Sequence, residues 1–317
     1  MGIKELNKYF VKKCTKKAIY KISLTDLYDK VVVIDVSIFI YRFLGEPDGL
    51  IPNLYSMITI LLSYKIIPIF IFDGKTPLEK RPLLDRRRIE KREAAEKYNE
   101  LLANIDVSVI TESKKEIEEL RKKSLRLTYA DLDNTKLLFD AFGISYMRAP
   151  GEADALCAYL VKKGFAWACM SEDMDLFLYG CNRVLRHFNL YDHTVILYDT
   201  ILILEELGIG EKDFLHAMVL MGTDYNLPYE NMTLEGVLYE AQMKSNEINL
   251  YDHLIIGNNN SIDNNMNENE KEVLYKICEI FHIDNMEFDF SALSFKCPLV
   301  NWKKVREFME NWGFVFL

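Results

Sequence analysis

Apolar positions along the chain come in two rhythms. Short unbroken runs, VVVI before Asp35 and IPIFIF before Asp73, are rich in β-branched and aromatic residues. Strands of a parallel sheet buried on both faces read this way. Comparable runs near 144–147 and 166–170 extend the series, and VLRHF followed by HTVILYD predicts an edge hairpin near 183–187 and 194–198. Between them, longer stretches such as Ala155 to Lys163 and Phe214 to Met221 read as helix. The alternation predicts an α/β fold with a mostly parallel central sheet flanked by helices. Helices take over from Thr200, so we expect a core over 1–225 followed by a helical region over 226–317.

Polar positions mark the rest. From Lys80 to Arg92 the sequence KRPLLDRRRIEKR holds seven basic and two acidic residues. Helical charge alternation continues from there to about residue 130. TPLEKRP offers Thr76 as an N-cap with Pro77 at the first helical position and Glu79 at the third. Pro82 would then fall inside the helix, and should kink it or force a later start. The stretch 257–270 is Asn-rich with few apolar residues and reads as a loop. Leu50 to Phe72 is apolar, but Pro52, Asn53, Lys65 and Pro68 interrupt it, so it predicts a helix and then a strand, and no membrane span.

Composition changes the picture little. The 317 residues carry a net charge of −9 and are 50% hydrophobic, ample for a core. That balance does not suit a general coater of nucleic acid, but the basic residues concentrate in one segment, and local charge decides. Six cysteines show no C-x-x-C pairing and five histidines are scattered, so neither a zinc site nor a disulfide framework is expected. Without a signal peptide, a reducing intracellular setting follows, at the nucleus or at a viral replication site in the cytoplasm.

The chemistry lies in the acids. Asp35 and Asp73 end strand-like runs, and such positions face the ligand crevice of an open α/β sheet. Glu152 and Asp154 open a helix, Asp173 and Asp175 follow a strand, and Asp224 follows the run ending at Met221. Singly, each acid could be a cap or turn residue. Together, seven hard oxygen ligands at element ends suggest a site for divalent cations, most simply two Mg²⁺ ions about 4 Å apart.

MGIKEL, VIDVSIFIYRFL, IFIFDGKTP, APGEADA, MSEDMDLFLYG and LMGTDYN occur in an order and spacing that resembles the XPG-type structure-specific nucleases, most nearly their flap endonuclease branch. The resemblance runs from Met1 to about Tyr225. It implies a Mg²⁺-dependent 5′ nuclease acting on DNA with a 5′ flap, gap or free 5′ end, with Mn²⁺ able to substitute. Asp73, Glu152, Asp154 and Asp173 would serve one ion and Asp175 and Asp224 the other, with Asp35 nearby. Lys80 and Arg87 would contact the scissile phosphate. Residues 80–130 would form a helical arch over the site, and Gly2, Tyr41, Arg86, Arg88 and Lys91 would meet the DNA. Asp154 stands where many flap endonucleases have Glu. Beyond Tyr225 the sequence NLPYENMTLEGVLYEAQ replaces the Gly-x-Gly-Pro-like turn with which the family grips duplex through K⁺. Gly208-Ile209-Gly210 precedes Asp224 and reads as a helix stop. No sliding-clamp peptide is visible near the last residues. A scaffold that binds junctions without cutting, and an RNA-directed nuclease of the related PIN-like fold, remain the alternatives.

Overall fold

The computed structural model describes residues 3, 5–103, 110–229, 232–244, 248–257, 268–284 and 286–316. Gly2 and most of the Asn-rich 257–270 stretch lie outside the described residues. Seven strands, β1 (Ile19–Ser23), β2 (Val31–Asp35), β3 (Ile67–Phe72), β4 (Ser145–Arg148), β5 (Ala168–Met170), β6 (Arg183–Asn189) and β7 (Thr194–Asp199), form one sheet in the order β1-β7-β6-β5-β2-β3-β4. From β6 to β4 the strands are parallel, whereas β7 runs against β6 and β1 against β7.

Helices before the middle of the chain are α1 (Leu6–Lys13), α2 (Val36–Leu44), α3 (Leu50–Ser63), α4 (Arg81–Ala103), α5 (Ile110–Ser124) and α6 (Tyr129–Phe142). Those after it are α7 (Ala153–Lys162), α8 (Asp175–Leu178), α9 (Thr200–Leu207), α10 (Glu211–Leu220), α11 (Leu234–Met243), α12 (Leu250–Gly257), α13 (Glu268–Ile280) and α14 (Trp302–Glu310). Among the described residues no helix is long and apolar enough to cross a membrane.

Strand periodicity sorts the core into two layers. Val33, Ile69, Ile71, Cys169 and Val184 face a layer that includes residues of α1 and α7 to α11. Val32, Ile34, Phe70, Met170 and Leu185 face α2, α3, α6 and α14. Both sheet faces are therefore covered, which is why these strands read as continuous apolar runs rather than alternating ones. Phe70 stacks on Phe139 of α6 at 4.3 Å between centroids, a contact that fixes how α6 lies on the sheet.

Two expectations need correction. The β6–β7 hairpin is not at the edge, because β1 pairs along β7 from Ile19 to Ser23. In β1 only Ile22 is buried, so its sequence carries no strong strand signal. Thr76 makes no cap, since a 3₁₀ turn over Leu78–Lys80 comes first and α4 begins at Arg81. That late start puts Pro82 in the first turn, where its missing N–H costs nothing.

Candidate active site

Three parallel strands deliver acids to the same edge of the sheet. Asp35 ends β2, Asp73 follows β3, and the turn after β5 carries Asp173 and leads into Asp175, the first residue of α8. The strand order reverses between β5 and β2, since the chain first winds from β2 to β3 and β4 and only then crosses to β5. A crevice at such a switch point is the usual ligand position in open α/β sheets. Asp199 has the same strand-end signature, but β7 runs the other way, and Asp199 only caps α9 through Leu202 N at 3.2 Å.

Backbone and hydroxyl donors fix the acids in place. Asp35 Oδ1 accepts from Ser37 N at 3.0 Å, so its capping role is real and coexists with its place in the site. Ser37 Oγ donates to Asp73 Oδ2 at 2.6 Å, and Ala153 N donates to Asp73 Oδ1 at 2.9 Å. Ser171 Oγ donates to Asp35 Oδ2 at 3.3 Å and accepts from Asp173 N at 3.2 Å, while Asp175 N donates to Asp173 Oδ1 at 3.2 Å. Glu152 precedes the first turn of α7 and Asp154 lies within it, the placement that lets an i, i+2 pair share a site. Gly74 draws two loops together: its N–H bonds Gly151 O at 2.7 Å, and a Cβ there would lie 1.8 Å from Ala149 O.

The cations sit among these acids. Lys80 Nζ lies 2.6 Å from Glu152 Oε1 and 2.9 Å from Asp224 Oδ2, and Arg87 reaches Asp224 at 3.3 Å. Burial pulls the Lys80 ammonium down, but Glu152 and Asp224 together outweigh it and raise its pKa. Tyr225 donates its hydroxyl to Glu152 Oε2, and its ring lies 5.6 Å from Lys80 Nζ. Tyr41 is half exposed with Lys91 Nζ 4.6 Å from its ring centroid. The Lys91 ammonium is lowered by burial and then by Arg87 and Arg126. Lys80, Arg87, Tyr41 and Lys91 line a cavity of about 580 Å³ with Asp35, Asp73, Glu152, Asp154, Asp173, Asp224 and Arg88 around it.

Asp175 lies buried beside this cavity, and Arg86 lies apart from it. Arg86 points along α4 toward Glu90 and borders a neighbouring groove over residues 221–228. Sequence reasoning missed Ser37, Ser171 and Tyr225. A Ser two residues after a strand-end Asp, and an aromatic next to the last acid, were the available signals.

The acid chemistry fits a hard cation. Asp154 Oδ1 and Asp175 Oδ1 are buried without any hydrogen-bond partner. Asp35, Asp154 and Asp175 are each raised well above the ordinary carboxylate range, first by burial and then by neighbouring carboxylates. Such a set is costly to ionise without positive charge, and multivalent oxygen-seeking cations supply it. Among the described residues no three acids stand already converged in metal-holding geometry.

Comparison with known proteins bears on this arrangement. The XPG N-terminal domain matches residues 1–97 and the XPG I-region matches residues 143–224. Flap endonuclease 1 of Methanococcus aeolicus is 35% identical over 224 residues, covering 65% of this chain and 66% of that protein. The chain thus spans a little under two thirds of that relative's length. Among solved structures, the flap endonuclease-1 from Methanococcus jannaschii has a TM-score of 0.60 at 26% identity, covering 93% of this chain and 95% of that one. The catalytic core of Rad2 in complex with DNA substrate has a TM-score of 0.67 at 23% identity, covering 98% and 95%, and shares the fold.

Proposed function

The chain belongs to the XPG nuclease family, and from that premise we propose that it is a divalent-metal-dependent, structure-specific 5′ nuclease. Its substrate is DNA with a 5′ flap, a gap or a free 5′ end, met inside the cell during replication, repair or recombination. The observation that carries this reading is the buried acid cluster at the sheet's switch point, with two partnerless carboxylate oxygens and two cations above it.

Mg²⁺, with Mn²⁺ as a substitute, would be held by Asp73, Glu152, Asp154 and Asp173 at one position and by Asp175 and Asp224 at the other, with Asp35 adjacent. When bound, the ions supply charge neutralisation and an acidified water. Lys80 and Arg87 then donate to the transferring phosphoryl oxygens, where charge builds toward the transition state. Their present contacts with Glu152 and Asp224 keep both cations pointed at the crevice. A base can replace Lys91 over the exposed face of Tyr41, a contact worth about 1–3 kcal/mol. Above the site, α4 and α5 form the arch through which a single strand passes, and Arg88 and Lys91 meet its phosphates. Counterion release makes this binding weaken with salt.

The test uses labelled 5′-flap, gapped and blunt duplex DNA, with Mg²⁺ or with EDTA. Wild type cuts near the flap base only with Mg²⁺, and folded Asp175→Asn loses about 10²–10³-fold in rate, as removal of a principal charge-stabilising group does. Tight binding without cutting on every substrate would overturn the reading in favour of a scaffold. Faster cutting of an RNA flap than of its DNA counterpart would redirect it to RNA.

A further inference from the structure

A buried arginine, Arg186 of β6, stands outside the acid cluster and demands an explanation. It is 6% exposed, and arginine is seldom buried without a partner that needs it. Its Nη1 donates to Asn7 Oδ1 on α1 at 2.7 Å. Its Nη2 donates to the backbone carbonyl of Glu172 at 3.2 Å and lies 3.5 Å from that residue's carboxylate. Tyr198 of β7 completes the frame, its hydroxyl donating to the same Asn7 oxygen at 2.8 Å and its ring 5.3 Å from the guanidinium. The other carboxylate oxygen of Glu172 accepts from His187 N at 2.6 Å, so β6 holds Glu172 by both side chain and backbone.

Glu172 immediately precedes Asp173, in the turn whose hydrogen bonds set Asp173 and Asp175. We propose that Arg186 is a positioning residue for the acid loop, clamping the Glu172 carbonyl so that Asp173 and Asp175 face the crevice and locking α1 against the same turn. A planar guanidinium can serve both acceptors at once, and the single ammonium of lysine cannot hold that fork. The proposal rests on reading the acid cluster as a metal site.

Mn²⁺ alone, titrated against the full chain without DNA and followed by electron paramagnetic resonance well below the melting temperature, tests both readings. Groups that orient metal ligands typically alter affinity about 10–100-fold. Arg186→Lys should therefore weaken Mn²⁺ binding about tenfold and raise the Mg²⁺ needed for half-maximal cleavage in step, with KM for DNA unchanged. Arg183→Gln, on the opposite face of β6 beside Trp167, should change neither. If Arg186→Lys does not fold, Asn7→Ala removes the acceptor that pins Nη1 and so loosens the fork on the Glu172 carbonyl, and an affinity loss at the lower end of that range, about tenfold, is expected. Wild-type Mn²⁺ affinity in a folded Arg186→Lys, or in Asn7→Ala should it be needed, overturns the proposal. If instead wild type binds no Mn²⁺, or Asp175→Asn binds it as well as wild type, the metal-site reading itself falls.

Discussion

At the scale of single residues, the site stores unfavourable energy. Asp154 is buried with one oxygen lacking any partner, and burial followed by the charges of Asp35 and Asp173 raises its pKa. A carboxyl raised in the folded state holds its proton longer than in the unfolded chain. Its penalty is absent below the ordinary value of 3.8 and grows as pH rises through the raised one. Asp154→Asn should therefore stabilise the protein in EDTA at pH 8 by about 1–2 kcal/mol. Urea denaturation across pH 5–8 would check this: the variant should show a flatter stability profile than wild type.

The same residues show what the sequence made legible. All seven acids could be named from their positions at element ends. Six of them line the cavity and Asp175 lies buried beside it, while the like-placed Asp199 caps α9 because its strand is reversed. The hairpin predicted over 183–187 and 194–198 already implied that reversal. Ser37, Ser171 and Tyr225 carried at most a weak local signal, since each acts through a hydrogen bond to a segment distant in sequence.

At the scale of elements, the strands buried on both faces were readable to within a residue or two, and β1 was not, because pairing rather than burial makes it a strand. The loops after β3 and β4 show a further limit. Their approach depends on the missing side chain of Gly74, whose neighbours are backbone atoms that cannot swing away. Gly74→Ala should cost about 3 kcal/mol by overpacking and pull Asp73 away from Ala153 N. A thermal melt together with cleavage assays would test it. A variant with wild-type stability would mean that the two loops separate more easily than their hydrogen bonds indicate.

At the scale of the molecule, overall negative charge and a basic segment are reconciled by geometry. The acids gather at one edge of the sheet, where Lys80 and Arg87 border them, and α4 carries the basic run away from the core. A cation that binds only the folded chain must stabilise it by mass action, about 2.7 kcal/mol at a hundredfold excess over its Kd. Melting temperature should accordingly rise with Mg²⁺ and fall back with EDTA, and Asp175→Asn should blunt the rise. An equal rise in the variant would assign the effect to ions held elsewhere.

The contacts of Lys80 and Arg87 also impose a schedule. Lys80 meets Glu152 across 72 residues, and Arg87 meets Asp224 across 137. Contacts this distant in sequence form late, because loop closure must precede them. A chain growing on the ribosome has its first strands, their crossover helices and its basic segment in hand long before Asp224 emerges from the exit tunnel. Until then it carries the basic run of α4 but lacks the last of the seven acids, so on the proposed reading cutting competence would arrive only after synthesis has passed Asp224.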